Sequence, residues 1–227
     1  MPEPELLDAE TPLGPGRFHL SWPGASSTGV LVVGHGAGGG VGATDIVAAR
    51  QAAYELGWVV ALYEQPWKVA GGRVAPAPPR LDVGWLAGME TLTTALGERG
   101  ITTAADGVPL VLGGRSAGAR VACRTAEQLG AAGVLCLAFP LHPPGRPEKS
   151  RAFELLGAGV PRLVVQGERD PFGRPEEYGE VLAEANGGVR LVPVPGDHSL
   201  RSAPPVRAAV GEWLGSLPGM LRRGSVL

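Results

Sequence analysis

Lysine is almost absent from this 227-residue chain: Lys68 and Lys149 are the only two, and arginine supplies every other basic charge. With the excess of alanine, glycine and proline, that skew reflects coding bias rather than phosphate recognition. Blocks of one sign are missing too. Twenty basic and twenty-two acidic residues leave a net charge of −2, with no basic arm or acidic tail to suggest a nucleic-acid partner. Cysteine is scarce. Cys123 and Cys136 fall in apolar helix and strand patterns without metal-ligand spacing, where a buried free thiol is expected. No apolar run is long enough to span a bilayer, and the acidic opening MPEPELLDAE has neither the basic nor the apolar region of a secretory signal. These absences lead us to expect a cytoplasmic protein without membrane or nucleic-acid partners, large enough to bury a core unaided by disulfides or a structural metal.

What is present is a rhythm. Short apolar runs recur at Val30–Val33, Val59–Tyr63, Leu110–Leu112, Val134–Phe139, Leu163–Val165 and Leu191–Val194. They do not alternate with polar residues, as expected of strands covered on both faces. Between them lie helical spacings. Thr44 or Asp45 is placed to cap a helix that stops at Gly57, and Leu81, Trp85, Met89, Leu92 and Leu96 form one apolar face. Ala117–Leu129, Pro175–Ala185 and Pro205–Leu217 complete the series. The alternation predicts a single α/β domain over 28–221, with a mostly parallel sheet and helices on both faces. Residues 1–27 add a short antiparallel element around Arg17–Trp22, and the tail 222–227 is expected to fray. Two stretches, Pro66–Pro79 and Pro140–Ser150, read as proline-rich loops on the edge where open α/β sheets bind ligands.

The chemistry gathers at strand ends. Gly114-Arg115-Ser116-Ala117-Gly118 matches G-x-S-x-G between a strand and a helix, the context in which a serine is lifted out of a strained turn as a nucleophile. The glycines relieve crowding, and the helix that follows directs its first backbone donors at an anion forming near Ser116. A base is required. Of the four histidines, His198 alone follows the last strand, in VPGDHSL, and Asp170 in GERDPFG follows the strand before it. The order Ser116, Asp170, His198 is that of the α/β-hydrolases. Asp197 adjoins His198 and suits a local turn bond, while Glu168 suits a salt bridge or solvent. LVVGHGAGGG, residues 31–40, supplies a glycine-rich loop. In it the N–H of Ala37, or of Gly36, joins that of Ala117 as an oxyanion hole, and His35 is positional.

The same loop supports a rival. Gly34, Gly36 and Gly39 spell G-x-G-x-x-G after a strand, and Glu64 ends the next strand where a ribose-binding acid would stand, which would make this an NAD(P)-binding protein. That reading leaves Ser116, Asp170 and His198 without a purpose, and it ranks behind the hydrolase.

Five ordered stretches, HGAGGG, GGRSAGARVA, AFPLHPPGRPEK, VVQGERDPFG and GDHSL, resemble the cap-less α/β-hydrolases related to dienelactone hydrolases. More narrowly they resemble the α/β-hydrolase-like proteins of the testis-expressed and non-specific-lethal-complex type, over roughly residues 28–217. The resemblance implies a single-domain α/β-hydrolase fold without a lid and a Ser116, Asp170, His198 site. Dienelactone hydrolases use cysteine where this chain has Ser116, so their lactone specificity does not carry over. One branch of the group acts as a scaffold, which sets a non-catalytic binding protein as the alternative. The expectation is a serine hydrolase of a small acyl substrate that needs no cofactor or metal. Arg115 either clamps a substrate carboxylate or, the preferred reading, forms a salt bridge beside the turn. His142 either lines the pocket or is a structural turn histidine, and Trp67 and Phe172 either wall the site or pack beneath loops.

Overall fold

The computed structural model describes residues 1–24, 26–103 and 107–224, the last seven as helix backbone only. Strands β1 (Glu5–Ala9), β2 (Gly16–Ser21), β3 (Gly29–Gly34), β4 (Trp58–Glu64), β5 (Leu110–Arg115), β6 (Gly133–Leu137), β7 (Arg162–Gly167) and β8 (Val189–Val194) form one sheet. Its order is β1-β2-β4-β3-β5-β6-β7-β8. The first two pairings, β1 with β2 and β2 with β4, are antiparallel, and all the others are parallel. Successive side chains of a strand point to opposite faces, so the unbroken apolar runs serve two cores. Val30, Val32, Val59, Ala61, Leu110, Leu112, Val134 and Cys136 join one. Leu31, Val33, Val60, Leu62, Val111, Leu135 and Leu137 join the other.

The first core lies beneath α3 (Pro78–Glu98) and α4 (Ala117–Thr125), the second beneath α1 (Thr44–Glu55) and α7 (Ala203–Gly224). The predicted face of α3 is the buried one, with Leu81, Trp85, Met89, Leu92 and Leu96 all inside. Cys123 and Cys136 are buried free thiols whose sulfurs lie 3.6 Å apart. Among the described residues no helix is long and apolar enough to cross a membrane.

Several boundaries differ from the periodic pattern. The apolar run at 134–139 stops being a strand at Leu137, because Ala138 turns to a φ of 49°. The stretch Pro66–Pro79 is only partly loop: α2 (Pro66–Val69) opens it, and Pro78 already belongs to α3. Proline suits the first turn of a helix, whose leading N–H groups have no intrahelical acceptor. Within Pro140–Ser150 a 3₁₀ turn forms at Pro147–Lys149, and α5 (Ala152–Leu156) follows. Pro175–Ala185 divides into a 3₁₀ turn at Pro175–Tyr178 and α6 (Gly179–Glu184). Helix α7 runs to Gly224, past the expected end at Leu217, and takes in the first three residues of the expected tail. Residues 225–227 lie outside the described residues.

Neither Thr44 nor Asp45 caps α1. The cap is Ala43, and Asp45 is drawn inward with no exposure at all.

Charged links tie the helices above the first core. Glu154 of α5 accepts a two-pronged bond from Arg120 of α4 at 2.6 and 2.7 Å and a third from Arg124 at 3.1 Å. Arg124 also grips Asp82 of α3 at 2.6 and 2.9 Å. Burial would push the Glu154 carboxyl up, but hydrogen bonds and charge from the two arginines carry it below its ordinary range. A carboxylate whose folded pKa is depressed stabilises the fold above its unfolded pKa and loses that contribution as pH falls. Glu154→Ala should therefore cost about 3 kcal/mol at pH 7, the order expected for stripping one partner from a buried ion pair. Urea unfolding should show the gap between variant and parent narrowing below a pH of about 4.

His142, on the other proline-rich loop, sits with both ring nitrogens against acceptors, the Pro143 carbonyl at 2.9 Å and Glu177 Oε2 at 2.8 Å. Only imidazolium donates from both nitrogens. Burial opposes that charge, yet the two acceptors raise the pKa of His142 on balance. A raised histidine stabilises below its unfolded pKa and loses the contribution as pH rises through the folded value. His142→Gln should therefore destabilise the protein more at pH 5.5 than at pH 8.5, read by thermal melts at both.

Candidate active site

Strand β5 runs through Arg115 and helix α4 begins at Ala117, so the whole reversal falls on Ser116. Its φ of 52° and ψ of −107° lie where residues with a Cβ are rarely found. The flanking glycines make the turn possible. A Cβ on Gly114 would lie 2.3 Å from the Gly118 carbonyl carbon, and one on Gly118 would lie 2.5 Å from the Gly34 oxygen. Strand, turn and helix pack backbone against backbone, and the Ser116 N–H is held by the Leu137 carbonyl at 2.9 Å.

The three residues singled out by chain order meet here. His198 Nε2 lies 2.9 Å from Ser116 Oγ, and His198 Nδ1 lies 2.8 Å from Asp170 Oδ2. Asp170 is completely buried. Its Oδ2 also accepts from Gln166 Nε2 at 2.8 Å, and its Oδ1 accepts from the Phe172 N–H at 2.8 Å. Gln166 had no signal in the sequence beyond its place on a buried strand, and it braces the carboxylate from β7. The Phe172 ring lies over that of His198, with centroids 4.2 Å apart. Asp197 keeps to its own turn, accepting the Ser199 N–H at 2.8 Å, and Glu168 faces solvent.

Ala117 is the first residue of α4, so its N–H is one of the helix donors without an intrahelical acceptor. Ala37 lies in the loop after β3, and the two residues line the same small pocket. His35 holds that loop. Its Nδ1 lies 2.8 Å from the Gly36 carbonyl, and its Nε2 accepts the Gln65 N–H at 3.2 Å. Burial lowers the His35 pKa, so the ring is neutral, with its proton on Nδ1.

Arg115 answers to the salt-bridge reading. Its Nε stands 3.1 Å from Asp45 Oδ2, a charge contact without the alignment of a hydrogen bond. Its Nη2 donates to the His198 carbonyl at 2.9 Å. Burial pushes the Asp45 carboxyl up and the Arg115 charge pulls it back. The sequence presented Asp45 as a helix cap; here it anchors the arginine that spans the Ser116 turn and the His198 loop. His142 is turned to Glu177 and does not join the site.

The dinucleotide reading does not survive the geometry. Helix α1 begins at Thr44, five residues beyond Gly39, so the glycines do not open a helix onto a phosphate. Glu64, the supposed ribose ligand, pairs with His19 at 3.0 Å. Among the described residues no cluster of histidine, cysteine or acidic side chains is arranged to hold a metal.

Comparison with solved structures gives the same fold at low identity. An α/β serine hydrolase homologue from Coxiella burnetii superposes with a TM-score of 0.70 at 17% identity, over 94% of this chain and 99% of that one. A serine hydrolase without a lid from Xanthomonas campestris matches with a TM-score of 0.65 at 20% identity, over 100% and 98%. Est1E from Butyrivibrio proteoclasticus matches with 0.72 at 14%, over 94% and 99%. A search of curated protein sequences returns no match. The model of the alpha/beta hydrolase domain family matches residues 27–208, and the chain belongs to that family.

Proposed function

We propose that the protein is a serine hydrolase that cleaves an ester or related acyl bond of a small substrate through an acyl-enzyme. The observation that carries this reading is the unbroken hydrogen-bonded line from buried Asp170 through His198 to Ser116 Oγ, on a backbone strained at Ser116. Ser116 Oγ attacks the acyl carbon while His198 Nε2 takes its proton and passes it to the departing alcohol. Water then attacks the acyl-enzyme by the same proton relay, releasing the acid and restoring Ser116. Asp170 keeps the Nδ1 proton in place and stabilises the imidazolium, and the Ala37 and Ala117 amides receive the oxyanion. Family membership and the neighbours described as serine hydrolases support the reading, as do the five stretches that resemble the cap-less α/β-hydrolases. No organic cofactor or metal enters this mechanism, and a reducing cytoplasm suits the two free thiols.

A fluorophosphonate should label the folded protein at Ser116, located by peptide mass. Ser116→Ala should abolish labelling and lower turnover of an activated ester by about 10³-fold or more. A folded wild type that neither labels nor turns over would favour the scaffold alternative.

Arg115 acts on this site through the loops it joins and is a positioning residue. Arg115→Ala leaves the Asp45 carboxylate buried without its counter-charge and should cost about 3 kcal/mol. Adding Asp45→Asn should restore part of that loss, because it removes the stranded charge. Urea unfolding of the two single variants and the double variant measures the coupling.

A further inference from the structure

Two imidazoles in this protein meet aromatic rings, and they meet them differently. His35, kept neutral by burial and bonded through both nitrogens, meets Trp67 edge-on, with centroids 5.5 Å apart and planes at 62°. His198, the ring that takes a proton in the proposed reaction, lies against Phe172 with centroids 4.2 Å apart and planes at 31°. At that spacing and tilt the imidazole stands over the face of the phenyl ring and not at its edge. The face of an aromatic ring is its negative side, and a cation within about 6 Å of the centroid is attracted to it.

The Phe172 backbone is held on both sides, so this contact is built into the fold. Its N–H donates to Asp170 Oδ1 at 2.8 Å, and its carbonyl accepts the His142 N–H at 3.0 Å. The next residue, Gly173, packs so closely on Leu141 that a Cβ there would stand 2.7 Å from the Leu141 Cβ, and its carbonyl accepts from Gln166 Nε2 at 2.8 Å. Asp170 thereby fixes both partners. Its Oδ2 takes His198 Nδ1 at 2.8 Å and sets the imidazole by its edge, while its Oδ1 sets the backbone that presents the phenyl ring. The His198 side chain is 18% exposed, so little water competes for its charge. Among the described residues, the charged groups around His198 are Asp170 after β7, Arg115 on β5, Asp45 on α1 and Asp197 in its own turn. Arg115 Nη2 binds the His198 carbonyl, the Asp45 carboxyl feels the His198 charge, and Asp197 accepts the Ser199 N–H. A change confined to the Phe172 ring alters none of the four.

We propose that Phe172 is a further residue of the catalytic machinery: the face of its ring stabilises the imidazolium that His198 becomes when it takes the Ser116 proton. The inference deepens the serine-hydrolase reading and rests on it. The attraction acts on the charged imidazole and not on the neutral one. It therefore favours the transition state over the resting enzyme, and that difference raises turnover.

The test replaces Phe172 by difluoro- and pentafluorophenylalanine, which keep the shape of the ring and its backbone bonds while draining and then reversing the charge on its face. NMR follows the titration of the His198 ring in wild type and in each folded variant. With less stabilisation of the imidazolium the midpoint should move to lower pH, by about half a pH unit to one between phenylalanine and its pentafluoro form. On the alkaline plateau, kcat for p-nitrophenyl acetate should fall about threefold in the same order. Midpoints that coincide across the fluorinated series, or a kcat that does not follow them, overturn the proposal, because packing is the same in every member. The hydrolase reading fails by a different result, a folded wild type that takes up no fluorophosphonate and cleaves no ester, and this proposal falls with it.

Discussion

The approach of helix α4 to the end of strand β3 is the constraint on which the rest of the molecule depends. Gly118 lies so close to Gly34 that a single methylene on it would sit 2.5 Å from one carbonyl oxygen and 2.9 Å from the next. That closeness lets the chain reverse on one residue, and the reversal forces Ser116 to a positive φ. A conformation this costly persists only where its surroundings over-determine it. Here the surroundings are two glycines, the Leu137 carbonyl on the Ser116 N–H, and a helix whose Val121, Ala122 and Cys123 are sunk in the core.

Around that turn the protein buries charge in separate arrangements with different purposes. Asp170 receives three donors, among them His198, so its carboxylate is well satisfied where it has no water. Asp45 and Arg115 face each other less perfectly, and Arg115 spends its remaining contact on the carbonyl of the His198 loop. The Arg120, Arg124, Glu154 and Asp82 network lies over the first core and ties α3, α4 and α5 into one layer. The helix that carries the Ser116 turn is thus held from below by apolar packing and from above by ion pairs.

Much of this was legible in the residues. Unbroken apolar runs predicted the doubly covered strands, and the spacing from Leu81 to Leu96 named the buried face of α3 residue by residue. The glycines around Ser116, with Asp170 and His198 each following a strand, pointed to three positions that the fold brings within hydrogen-bonding distance in series. Such features are readable because each rests on local chemistry: periodicity, the need for glycine where backbones touch, and the rule that strand ends face a common edge.

Other features could not be read, because they depend on which distant groups share a burial site. Asp45 has the sequence of a helix cap and the position of a counter-ion, since the α1 N-terminus is folded against Arg115, seventy residues on. Gln166 looks like any polar residue on a strand until Asp170 closes over it. Trp85 belongs to an amphipathic stripe, and only packing against Tyr63 and Gly34 makes its ring part of the wall of the pocket that Ala37 and Ala117 share. The sequence by itself determined the layers, the Ser116 turn and the order of the residues around it, because these follow from short-range pattern. Tertiary structure alone decided which charges are paired and which side chains share the pocket with Ala37 and Ala117, because both turn on removing water from groups far apart in the chain.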